Sequence, residues 1–172
     1  MFGLTSLGVV HTAISLVALA AGIAALVRDR AILPGSTLGK VYLWTTVLTC
    51  LTGFGIFQHG GFGKPHALGV LTLIVLAVAV AAPRIAALGR AAPYVQTLGL
   101  SLTFFFHLIP GATETFTRLP AGAPLFSSPE DPALQKVVGV LFLGYVVGAT
   151  LQALRLRRAG GSASPVHRPA DA

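Results

Sequence analysis

LTSLGVVHTAISLVALAAGIAALV, residues 4–27, carries no charged side chain along its whole length. A helix needs roughly 20 mostly apolar residues to cross the hydrocarbon of a bilayer, and this stretch supplies them. Small or polar residues recur within it at three- and four-residue intervals: Gly8, His11, Ser15, Ala18, Gly22 and Ala25. That spacing gathers them on one helical face, the pattern of a membrane helix that packs closely against neighbours there and meets lipid elsewhere.

Four more stretches read the same way: residues 38–58, 66–82, 93–113 and 133–154. The third is the shortest, and extends through Ile85–Leu88 only by taking in Arg84, whose stem can snorkel to the interface. The chain of 172 residues is 54% hydrophobic and 10% charged, with a mean hydropathy of +0.80. A soluble domain is usually about a quarter charged, and soluble helices carry polar faces that these segments lack. The expected fold is therefore an all-α, polytopic transmembrane bundle of five helices in one domain, residues 1–158, followed by a disordered tail, residues 159–172.

Five crossings would put Arg28, Arg30, Lys40, Arg84, Arg90, Arg155, Arg157, Arg158 and Arg168 on one side, and Lys64, Arg118 and Lys136 on the other. Positive residues favour the cytoplasm, so the amino terminus is expected outside and the carboxyl terminus inside. The first segment lacks a basic start and its apolar run exceeds that of a cleavable signal peptide. The net charge of +7 sits in short loops and the tail, which suits anionic headgroups rather than nucleic acid. A single Cys50 excludes an internal disulfide.

Other faces follow the same logic. Thr45, Thr49, Thr52 and His59 share a stripe in the second segment, with Tyr42 one turn earlier. The third offers His66, Gly69 and Thr72, and the fourth Thr103, His107, Gly111 and Glu114. In the fifth, Gly144 and Gly148 form a small-xxx-small contact suited to a homo-oligomer, and the face continues to Gln152. Gly60–Pro65 reads as a tight outer hairpin, and Glu114–Pro132 as a long outer loop. In that loop, Ser128-Pro129-Glu130-Asp131 resembles a helix start.

With five crossings, His11, His59, His66 and His107 gather toward one side of the bilayer, His11 and His107 on the order of 10 Å inside their helix ends. Ionisable groups at such depth are costly and hence functional candidates. Three chemistries could use them. His11 and His107 could ligate haem b axially, with Gly8 and Gly111 giving the macrocycle room. His11, His59, His66 and His107 with Glu114 could hold a transition metal ion. A quinone or other lipid-soluble substrate could exchange a proton with one imidazole. None of these has a diagnostic spacing, and no catalytic constellation is legible. The plain alternative is that the histidines are packing residues hydrogen-bonded to Ser or Thr on neighbouring helices.

The runs His11–Gly22, Thr45–Phe54 and His66–Leu73 resemble a group of small bacterial inner-membrane proteins with about five predicted crossings and no assigned activity. The resemblance is best over residues 9–80 and looser over 133–158. It implies a multi-pass location in a bacterial inner membrane and transfers no site residue. Phe104-Phe105-Phe106-His107 and Glu114 depart from that group's uncharged polar pattern, so a site using His107 would belong to this branch. Two functions are expected from the whole: redox or metal handling through His11 and His107, or a non-catalytic accessory subunit without a cofactor. A transporter ranks behind both, since inverted repeats and broken-helix pairs are missing from the sequence.

Overall fold

The computed structural model describes residues 5–57 and 61–161, and the described residues contain helices and turns but no strand. Five α-helices follow in order: α1 (Ser6–Asp29), α2 (Thr37–Gly53), α3 (Lys64–Ala81), α4 (Ala92–Arg118) and α5 (Pro132–Gly161). Of these, α1, α3, α4 and α5 are long and apolar enough to cross a membrane. With 17 residues, α2 spans about 25 Å at 1.5 Å per residue, the lower limit for a crossing.

Local chemistry sets the ends. The Thr5 hydroxyl accepts from Gly8 N–H and caps α1, and the Ser36 hydroxyl does the same for α2 through Gly39 N–H. Between them Arg30 takes a left-handed conformation (φ 60°) that turns the chain out of α1. Gly89 at φ 43° plays the equivalent part in the short 3-10 turns linking α3 to α4, where only glycine is unstrained.

Several bounds differ from the sequence expectation. Past Gly53 the chain tightens into turns, Gly55 N–H bonding Thr52 O and Ile56 N–H bonding Gly53 O, so α2 stops short of residue 58. Helix α4 runs through Pro110 to Arg118, since Glu114 and Arg118 pair one turn apart on the helix instead of opening the loop. Rather than starting at Ser128, α5 is capped by the Asp131 carboxylate, which accepts from Ala133 N–H at 2.9 Å, with Pro132 in the first turn. It also continues past Arg158 to Gly161, so the expected tail begins as helix; residues 162–172 lie outside the described ones. The loop between α4 and α5 folds back on α4, with Phe126 N–H bonding Phe116 O and the two rings meeting edge-on.

α1 and α2 form an antiparallel pair, and α4 is central, touching α1, α3 and α5. The core gathers Ala21, Ala25, Ile32, Tyr42, Leu76, Ala79 and Leu100. The expected small-residue face of α1 is buried at Gly8, Ala18, Gly22 and Ala25. At Gly22 a Cβ would meet Phe104 at 2.6 Å and Tyr42 at 3.2 Å, so hydrogen alone lets these rings fill the space between α1, α2 and α4. No Cα of α2 comes within 8 Å of one on α4, and the same holds for α1 and α5. Side chains must bridge the first gap. The second remains a cleft.

Candidate functional site

Helix α2 is the rail on which the polar interior hangs. Tyr42, Thr46, Thr49 and Thr52 recur along it at intervals of four, three and three residues, winding gradually from the α4 side to the α1 side. Toward α4, Tyr42 O–H reaches Thr103 Oγ1 at 2.8 Å. The Thr103 proton is committed to Leu100 O at 2.8 Å, so tyrosine donates. One turn further, Thr46 Oγ1 and His107 Nε2 lie 3.1 Å apart, both buried, and the Tyr42 and His107 rings meet edge-on at 6.0 Å. These two contacts are what spans the α2–α4 gap.

Toward α1, His11 Nδ1 lies 3.0 Å from Thr52 Oγ1. The hydroxyl proton of Thr52 already serves Leu48 O (2.8 Å) and Thr49 O (3.1 Å). The Thr52 oxygen therefore accepts, and His11 donates from Nδ1–H. In the neutral ring that leaves the lone pair on Nε2. His11 is half-buried, and Gly53 makes room for it: a Cβ there would stand 3.2 Å from His11 Cε1.

His66 is arranged in the opposite sense. Its Nδ1 accepts from Gly63 N–H at 3.2 Å, in the first turn of α3, so the neutral ring carries its proton on Nε2. That atom is buried and finds no partner among the described residues. Phe57 and Phe62 flank the ring, with centroids at 5.0 and 5.4 Å. Glu114 is exposed and ion-paired with Arg118. His59 lies outside the described residues.

Among the described residues, His11, His66, His107 and Glu114 each have different contacts. Thr46 and Thr52, which hold one imidazole each, are six positions apart on α2, about 9 Å along its axis. Two axial ligands of one iron would need their nitrogens about 4 Å apart, twice a metal–imidazole bond of ~2.0–2.1 Å. Among the described residues no three His, Cys, Asp or Glu side chains stand together in a group that could hold a metal.

Two residues that hold this interior were missed by sequence reasoning. Thr46, fully buried, takes the place that the expected stripe assigned to Thr45, whose hydroxyl instead bonds back to Val41 O at 2.6 Å. Ser101 donates to Gln152 Oε1 at 2.8 Å, and Gln152 Nε2 donates to Arg30 O at 3.0 Å, which ties α4, α5 and the end of α1 together. The four-residue step from Tyr42 to Thr46 was the available signal for the first. Ser101 had none.

No protein-family model, no curated protein and no solved structure matches this chain.

Proposed function

We propose that the protein is a five-span bacterial inner-membrane protein, amino terminus outside, serving as a non-catalytic accessory subunit of a membrane complex. One observation carries this reading: buried polar side chains of neighbouring helices are spent on each other, Tyr42 on Thr103, Thr46 on His107 and Ser101 on Gln152. Interhelical hydrogen bonds of this kind hold membrane helices in register. The five-span topology draws support from the basic residues, nine of the twelve falling on one side under alternate crossings.

α5 supplies the surface for association. Only 6% of its most apolar stretch is buried, against 22% for α1. Leu143, Val147 and Leu154 are exposed at four- and seven-residue intervals, a stripe that a partner's membrane helix can cover. Solubilised from its own membrane in mild detergent, the protein is expected to migrate in an assembly larger than one chain. Val147→Trp should return it to monomer size, whereas Val78→Trp, at an exposed site on α3, should not. Wild-type protein migrating as a monomer would end this reading.

A second reading, redox or metal handling, is favoured by the geometry of His11. Metal-bound histidines usually donate their other N–H to an oxygen, which orients the ring, and His11 Nδ1–H does this toward Thr52. On this reading the isolated protein carries a stoichiometric transition metal or a haem absorption band. His11→Ala should remove it and Thr52→Val weaken it, while His66→Ala leaves it unchanged. Metal-free, colourless protein that stays so after reconstitution with haem or with copper, zinc and iron salts would exclude it.

A further inference from the structure

We propose that the cleft between α1 and α5 is a binding site for one anionic phospholipid of the leaflet that lies at the Arg30–Arg155 end of the bundle. The inference needs only that the bundle sits in a bilayer, and is independent of either functional reading.

Helices α1 and α5 stay apart along their length, joined at one end by Gln152 Nε2 and Arg30 O. Two hollows border one another there, of about 460 and about 250 Å3, both lined by Leu26, Gly148 and Gln152. The smaller one runs along α4 and α5 past Phe104 and Leu108, and apart from Ser101, Tyr145 and Gln152 its lining is apolar. Ser101 and Gln152 hydrogen-bond each other, so most of the wall offers an alkyl chain only dispersion contacts. Gly148 borders open space, where a Cβ would meet nothing within 4 Å and a larger side chain would project into the hollow.

The wider hollow has a different chemistry. Arg30, just past the end of α1, and Arg155 of α5 line it, both are exposed, and neither forms an ion pair among the described residues. The nearby Arg28, by contrast, is already paired with Asp29 at 2.8 Å. An apolar slot closed at one end by two uncommitted guanidiniums complements an amphiphile with a long hydrocarbon tail and a phosphate head. Guanidinium is well shaped to bind phosphate oxygens in pairs. Basic pockets between membrane helices are a recognised form of lipid headgroup site. A second copy of the chain would fill the apolar part of the cleft but would bring the same two arginines against their own kind.

The test uses delipidated full-length protein in detergent, with phosphatidylglycerol and phosphatidylcholine of identical acyl chains added separately and bound lipid counted by native mass spectrometry. Phosphatidylglycerol should bind one per chain, at least about tenfold more tightly than phosphatidylcholine, the size expected for two arginines near an anionic head. The double variant R30Q/R155Q should reduce phosphatidylglycerol to the phosphatidylcholine level. Gly148→Leu should abolish the one-to-one complex of both lipids while leaving the helical circular-dichroism signal unchanged. If Gly148→Leu does not fold, the R30Q/R155Q comparison decides alone. Equal binding of the two lipids to wild-type protein would overturn the proposal, as would lipid binding that survives Gly148→Leu. A lipid-free dimer that Gly148→Leu dissociates would also overturn it, by showing that a second copy covers the cleft.

Discussion

Replacing Tyr42 with alanine is expected to lower stability by about 3–5 kcal/mol, the range for removing a large buried aromatic ring. Tyr42 has no exposed surface and lies where three helices meet. Its ring packs near Gly22 of α1 and edge-on to His107 of α4, and its hydroxyl donates to Thr103. Because the α2 and α4 backbones stay apart, the alanine variant leaves a gap that neither helix can close without breaking its pairing elsewhere. Packing is the main cohesive force between helices in lipid, where apolar burial brings little advantage. Tyr42→Phe retains the ring and loses only the hydrogen bond, an effect of about 0.6 and at most about 1.7 kcal/mol by analogy with other membrane helices. Titration of the purified protein from mild detergent into dodecyl sulfate, followed by circular dichroism, measures both. Equal losses for the two variants would show that the hydroxyl, not the ring, holds α2 to α4.

Gly39→Ala should cost roughly 3 kcal/mol, the upper end for overpacking, in the same titration. A Cβ on Gly39 would stand 1.8 Å from Leu33 O, and that carbonyl has little freedom to retreat. Both the backbone N–H and the hydroxyl of Ser36 bond to it at 3.0 Å. The same hydroxyl caps Gly39 N–H, so a methyl group inserted there disrupts the turn and the start of α2 together. Gly35, in the same turn, has nothing within 4 Å of a Cβ and takes alanine as the control. A small effect at Gly39 would mean that the α1–α2 turn is looser than its hydrogen bonds imply.

Much of this architecture is legible in the chain because it is local. Absence of charge over a run long enough to cross hydrocarbon requires no partner to be recognised, and α1, α3, α4 and α5 meet that condition. The small-residue face of α1 could be read from its three- and four-residue spacing, and Gly8, Ala18, Gly22 and Ala25 are buried as that spacing implies. Helix ends were less legible. They depend on whichever group happens to satisfy the last free N–H and C=O, as Asp131 does for α5 in place of Ser128.

The candidate site separates the two kinds of information more sharply. From the residues alone came the presence of His11, His66 and His107 on faces turned toward neighbours, together with threonines able to meet them. Which threonine meets which imidazole depended on the rotation of α2 about its axis, and Thr45 and Thr46 differ there by about 100°. Only the packed bundle selected Thr46 for His107 and Thr52 for His11. Hydropathy and periodicity are properties of one helix and can be read along a chain. The pairing of polar atoms across a gap depends on the placement of two helices at once, and arises only when the bundle closes.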